Sequence, residues 1–157
     1  MAKVRAATPD DVELILSFIW RLAEYEHLEH EVVATPELLK EWLFDKKKAE
    51  VLFALNDEGK EVGMALFFHN FSTFLGRAGI YLEDLFVLPE ARGQGYGTLL
   101  LRALAKLCVE RGCGRLEWSC LKWNTPSLNF YQNLGAKPLE EWVMLRVTGD
   151  TLQDMGS

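Results

Sequence analysis

The chain has 157 residues, 49% of them hydrophobic and 25% charged, the make-up of one folded domain (1–157) with a core of its own. Asp plus Glu number 23 against 17 Lys plus Arg, a net charge of −6, and no basic stripe interleaves with aromatics, so nucleic acid is not an expected partner and a small cation is. No segment reads as a membrane span or as a leader behind Met1 to Arg5, and the odd, unpaired spacing of Cys108, Cys113 and Cys120 predicts reduced thiols, no metal site and a cytoplasmic protein.

In chain order, residues 3–6 read as a short strand. Thr8-Pro9-Asp10-Asp11 then opens a helix, with Thr as cap, Pro in the first turn and acids against the dipole, and Val12, Ile15, Leu16, Ile19, Leu22 and Ala23 form its buried stripe. The same Thr-Pro opening recurs at Thr35-Pro36, before Leu38, Leu39, Trp42 and Leu43, and at Thr125-Pro126, before Leu128 and Tyr131. Residues 51–55 and 62–71 predict a hairpin around Asn56-Asp57-Glu58-Gly59, and 78–87 extends the sheet. A helix over 99–111 ending near Gly112, a strand over 115–120, a short helix ending near Gly135, a last strand over 142–147 and a loose tail over 148–157 complete the order.

The most informative segment is Arg92-Gly93-Gln94-Gly95-Tyr96-Gly97-Thr98, between an apolar strand and a helix. Closely spaced glycines allow positive φ and close approach to a ligand, and their N–H groups gather at a helix N-terminus, where the dipole favours an anion. The helix that follows has no side-chain cap in the sequence, so its first N–H groups are expected to await an acceptor such as pyrophosphate. Two nucleotide motifs fail here. The dinucleotide fingerprint needs glycine where Thr98 stands, and the triphosphatase loop needs a lysine before that threonine, which is Gly97.

Arg92, Gly95 and Gly97 fit Arg-x-x-Gly-x-Gly, which resembles the pyrophosphate-binding signature of the GNAT superfamily of N-acetyltransferases. The resemblance narrows with Tyr25-Glu26, with Tyr81-Leu82-Glu83-Asp84 and Phe86-Val87, and with Trp123-Asn124, Pro126-Ser127 and Asn129-Phe130-Tyr131. In that order these motifs are similar to the spermidine/spermine (diamine) acetyltransferases. The resemblance implies an α/β (α+β) GNAT acyltransferase fold with a mixed central sheet flanked by helices. It also implies acetyl-CoA as cofactor, a primary amine of a small cationic substrate as acceptor, direct attack, and a homodimer.

Acetyl transfer to an amine needs a neutral nitrogen, a polarised carbonyl and a proton for the departing thiolate. A primary alkylamine ionises near ~10, so a carboxylate, or a water held by one, must take its proton. Glu83, in an otherwise apolar strand where partial burial would raise its pKa, is the candidate base, and Tyr131 the candidate acid. By motif position, backbone N–H groups of Leu85, Phe86 and Val87 would hold the pantetheine arm and acetyl oxygen. Gly93, Gln94, Gly95, Tyr96, Gly97 and Thr98 would take the pyrophosphate, and Arg92 would pair with phosphate or close the loop. Asn124 and Ser127 would complete the cofactor cleft or simply cap their helix.

For the amine, Tyr25, Glu26 and Glu83 match the family's positions, and Glu141 and Trp142 are further candidate walls. Glu117-Trp118-Ser119 departs from the triplet of the polyamine enzymes, which commonly begins with histidine; Glu117 would bind a second ammonium or select a lysine-like amino acid such as thialysine. His27 and His30 make too thin a pair for a metal site. A non-catalytic acyl-CoA-binding sensor and a protein or peptide N-acetyltransferase remain alternatives.

Overall fold

The computed structural model describes residues 3–157, and the chain divides into two compact units, one running through Ser119 and the other from Cys120 to Ser157. In the first, five strands lie in sequence order: β1 (Lys3–Ala6), β2 (Glu50–Leu55), β3 (Glu61–Ser72), β4 (Arg77–Val87) and β5 (Leu116–Trp118). The first four pair antiparallel and β5 joins β4 in parallel, so the sheet is mixed. The parallel step requires a crossover, which α3 (Tyr96–Glu110) supplies.

Each face of this sheet buries one amphipathic helix. On one face α1 (Val12–Tyr25) packs Phe18 against Phe53 of β2, ring centroids 5.9 Å apart, beside buried Ile15 and Met64. On the other, α3 brings Leu100 and Leu104 onto β3, and a Cβ on Gly63 would come within 3.3 Å of Leu100 Cδ1. Side chains alternate along β3, so Gly63, Ala65 and Phe67 face α3 whereas Met64, Leu66 and Phe68 face α1.

The local signals mostly hold. Pro9–Asp11 forms a single 3₁₀ turn before α1, and the Asp11 carboxylate accepts the Thr8 N–H at 2.7 Å. At α2 (Pro36–Leu39) the Thr35 hydroxyl accepts the Leu38 N–H, and the chain then widens into a π-helical stretch over Lys40–Asp45. Helix α3 starts from Gly95 at φ +90° with no side-chain cap, and Gly112, at φ +72°, follows just past its end at Glu110, as its composition predicts.

In the second unit, α4 (Thr125–Asn133) is capped by Asn124, whose side-chain oxygen accepts the Ser127 N–H at 3.4 Å, so Thr125 is a helical residue rather than the cap. Two expectations fail here. Residues 142–147 form no strand among the described residues, and the supposed loose tail contains a helix, α5 (Gly149–Met155). A continuous apolar run specifies burial but not a pairing partner, and no strand of its own unit lies beside it.

Candidate active site

Beside the glycine turn, β4 departs from regular pairing in two ways. Leu66 of β3 stands opposite Asp84 and Phe67 stands opposite Leu82, so Glu83 is an extra residue in a β-bulge. The bulge shifts the alternation by one. Tyr81 faces α1 before it, Asp84 and Phe86 face α1 after it, and Leu82, Leu85 and Val87 face α3. Glu83, expected to be partly buried in an apolar strand, is instead exposed, because the bulge lifts it out of the ladder.

The second departure is an open edge. β5 pairs with β4 only from Ile80·Leu116 to Leu82·Trp118, whereas β4 continues to Val87. The Leu88 N–H donates to the Val62 carbonyl at 2.9 Å; by the alternation of an antiparallel ladder, the backbones of Phe86 and Asp84 also bond toward β3. Those of Leu85 and Val87 therefore turn to the edge that β5 has left. Of the three residues expected to offer N–H groups, Leu85 and Val87 have the required direction and Phe86 does not.

The turn after β4 has the shape an anion needs. Gly93 and Gly95 adopt φ of +78° and +90° with nothing within 4 Å of an added Cβ, so their strictness is one of backbone conformation rather than of space. Gln94 is exposed, whereas the Tyr96 ring is buried under the first turn of α3 and can offer only its backbone. Gly97 and Thr98 lie in that same turn. Arg92 closes the loop: its Nε donates to the Val87 carbonyl at 3.0 Å, and its guanidinium lies 5.0 Å from the Tyr25 ring and 5.1 Å from the Phe86 ring.

Carboxylates gather on the α1 face of the bulge. Burial pushes the Asp84 carboxyl up to about 7, with the charges of Glu83 and Glu26 adding to the effect, and burial likewise raises Glu26. Asp84 is thus the residue that the sequence leaves unnoticed. The signal for it is the spacing of apolar residues: Ile80 and Leu82 are two apart, but the next on that face is Leu85.

Glu117 is placed differently. Its carboxylate is ion-paired with Arg115 at 2.9 Å and accepts the Asn70 side-chain N–H at 3.0 Å, so its charge is already answered within the sheet. Trp118 lies opposite Leu82 on β4, and the Ser119 hydroxyl shares a 2.6 Å hydrogen bond with the Tyr81 hydroxyl. In the second unit, Asn124 is buried, Ser127 and Tyr131 are half-buried, and the Tyr131 ring lies 5.4 Å from Phe130. Glu141 and Trp142 are exposed and outside any regular element.

A helix head bare of side-chain caps, a glycine turn set for an anion and a parted strand edge beside them define an acyl-transfer scaffold. The chain belongs to the acetyltransferase (GNAT) family, whose profile matches residues 13–136. It is similar to the L-ornithine N5-acetyltransferase NATA1 of Arabidopsis thaliana, 33% identical over 97% of this chain and 86% of that protein. It is also similar to the thialysine N-epsilon-acetyltransferase of Mus musculus, 32% identical over 98% and 96%. Among solved structures, an integron cassette protein from the mobile metagenome of V. cholerae superposes with a TM-score of 0.81 at 25% identity, covering 99% of this chain and 97% of that one. The protein is therefore an N-acetyltransferase with acetyl-CoA as its donor, and the turn, the helix head and the edge of β4 fit that donor. No helix among the described residues is long and apolar enough to cross a membrane.

Proposed function

We propose that this enzyme acetylates a primary amine of a small cationic substrate, a diamine, a polyamine or a lysine-like amino acid. The observation that carries this reading is the α1 face of the bulge, where Glu26 and Asp84 are half-buried carboxylates with no ion-pair partner among the described residues, beside Tyr25. Such a face attracts a cation and disfavours an anionic or neutral acceptor. The names of the ornithine and thialysine enzymes similar to this chain point the same way. Glu117, held by Arg115, would shape the groove with Trp118 and Ser119 rather than bind a second ammonium. Glu141 and Trp142 are further proposed contacts.

Acetyl-CoA, when bound, supplies an acetyl carbon activated as a thioester, whose C–S bond breaks as the C–N bond forms. Gly93 to Thr98 would hold the pyrophosphate through backbone N–H groups, with Arg92 bracing the loop rather than the phosphate. Leu85 and Val87 would bond the pantetheine arm and acetyl oxygen through N–H groups at the open edge, and Phe86 would line it. Asn124 and Ser127 would add to the cofactor cleft, with Asn124 also capping α4. A carboxylate of the bulge, with Glu83 the candidate from sequence, would receive the ammonium proton. Tyr131 would protonate the departing sulfur: a phenol near ~10 giving to a thiolate near ~8.5 is a small uphill step that a matched hydrogen bond offsets.

A cytoplasmic homodimer is part of the same proposal. The three cysteines are free, and Leu139, Trp142, Val143, Met144 and Leu145 are each at least 60% exposed. Covering these residues with a second copy would bury several hundred Å² per chain, approaching one side of a standard interface. Light scattering that finds only monomer at micromolar concentration removes the dimer.

The test of function is thiol release from acetyl-CoA with spermidine, short diamines, ornithine, thialysine, lysine and a basic peptide. Turnover on a free cation that falls ~10²-fold or more in Tyr131→Phe, with coenzyme A binding retained, is expected. Tight acetyl-CoA binding without turnover on any amine would make the protein a sensor, and preference for the peptide would make it a protein acetyltransferase.

A further inference from the structure

The end of α3 brings two thiols together, and we propose that Cys108 and Cys113 form a reversible dithiol–disulfide site, closed by a hydroperoxide and acting on the strand pairing at the root of β5. The Gly112 N–H donates to the Val109 carbonyl at 3.2 Å, and the Cys113 N–H reaches back to the Cys108 carbonyl at 2.8 Å. With Gly112 at φ +72°, these two bonds make the helix ending in which the residue after the glycine meets the side chain three places inside the cap, Arg111. That contact is commonly between hydrophobic residues; here both partners are cysteine. Covalent bond lengths and the 2.8 Å contact hold the two Cα atoms within ~7 Å, the limit for a disulfide without backbone movement. The sulfurs themselves meet, since a hydrogen bond with Cys113 is among the influences on the Cys108 thiol.

The two sulfurs have different surroundings. Cys108 is buried and Cys113 half-buried, so a small oxidant meets Cys113 first. Burial pushes the Cys108 thiol up, and the charge of Cys113 acts in the same direction, so Cys108 stays protonated until its neighbour has reacted. Arg111 supplies a cation close by, since the charge of Cys113 is among those that hold the guanidinium proton. Cys120 belongs to the second unit, where its thiol donates to the Leu121 carbonyl at 3.6 Å, and it serves as an internal control.

In the first step the Cys113 thiolate attacks the hydroperoxide, the O–O bond breaks, and the proton of Cys113 passes to the departing oxygen, giving a sulfenic acid and an alcohol or water. In the second, the Cys108 sulfur attacks the Cys113 sulfur, the S–O bond breaks, and the Cys108 proton leaves with the hydroxide as water. Two thiols thus give two electrons to one hydroperoxide, and a thiol already in contact traps the sulfenic acid before it is oxidised further. The bridge also reaches the sheet. The Cys108 thiol donates to the Arg115 carbonyl at 3.2 Å, and the same carbonyl accepts the Ile80 N–H at 3.0 Å. Ile80·Leu116 opens the pairing of β4 with β5, and the Arg115 side chain holds Glu117 of β5. Closing the disulfide consumes the S–H donor and draws the sulfur toward Cys113, which loosens that first rung.

The test treats the folded, reduced protein with stoichiometric hydrogen peroxide and follows thiol content, peptide masses and amide hydrogen exchange. Free thiols should fall from three to one per chain, with Cys108 joined to Cys113, far-ultraviolet circular dichroism unchanged and all three thiols recovered in dithiothreitol. Exchange at the Ile80 amide should quicken ~3- to 10-fold, the size of one lost neutral hydrogen bond, while amides between β2 and β3 keep their rates. Cys120→Ser should still close the bridge, Cys113→Ser should leave the buried Cys108 reduced, and Cys108→Ala should let Cys113 run on to the sulfinic acid. A bridge that engages Cys120, a sulfinic acid on Cys113 of the native chain without a bridge, or a bridge that forms only in denaturant overturns the proposal. A closed bridge with exchange at Ile80 unchanged overturns its action on β5.

Discussion

Two aspartates, Asp11 in the turn before α1 and Asp84 on β4, face the same solvent pH with opposite outcomes. Asp11 accepts two hydrogen bonds of 2.9 Å from the Arg5 guanidinium, which also reaches Glu61 at 3.1 Å, and its carboxyl is held down to about 2. Asp84 meets burial and two like charges instead, and stands at about 7. Loss of water acts upward on both; a bidentate arginine overrides it at Asp11, and nothing does at Asp84. The protonation of a partly buried acid thus turns on whether its counter-charge is built into the fold.

The largest effect should come from breaking the paired end. Arg5→Ala strands both Asp11 and Glu61 and removes a guanidinium lying 4.9 Å from the Phe53 ring, for a loss of about 2 kcal/mol at neutral pH once partial exposure is discounted. A group whose folded pKa is depressed stabilises above its unfolded value near ~4 and loses that contribution as pH falls toward 2, so the native and mutant denaturation midpoints should converge in acid.

The unpaired end should respond in the opposite sense. Asp84 binds its proton more tightly folded than unfolded, so its contribution falls as pH rises from about 4 to about 7. Asp84→Asn should therefore raise stability at pH 8 by roughly 1 kcal/mol, a few degrees in Tm, with the gain vanishing below about pH 4. A mutant less stable than the native protein at pH 8 would contradict the strain ascribed to this site.

The smallest effects sharpen the account of what raises Asp84. Glu83→Gln and Glu26→Gln should each move its titration to lower pH, Glu83→Gln by more, and neither should restore an ordinary carboxylate, because burial is the main cause. A carbon-13 titration of the three proteins would rank the contributions directly.

Much of this was legible in the residues. The order of elements through α4, the uncapped helix behind the glycine turn and the acidic character of the segment around Glu26 follow from period, turn chemistry and charge. The bulge was not read, although the three-residue step from Leu82 to Leu85 marks it, because a strict alternation of two assigns Glu83 and Asp84 the wrong faces. The Asn70 contact that helps to occupy Glu117 joins residues 47 positions apart, which no local pattern carries, whereas its ion-pair partner Arg115 stands only two residues before it. Residues 142–147 have the composition of a strand but form none, since a ladder needs a neighbour as well as a sequence.

The bare head of α3 has a consequence for the life of the protein as well as for its chemistry. Because the first turn of that helix has no side-chain partner, an acceptor bound there contributes to folding, and a ligand at 100 times its Kd adds about 2.7 kcal/mol. With the cofactor held there as proposed, resistance to proteolysis would depend on the pool of acetyl-CoA and coenzyme A. When that pool shrinks, the fraction of chains open to degradation would rise, and the abundance of the enzyme would become a slow readout of how much donor there is to spend.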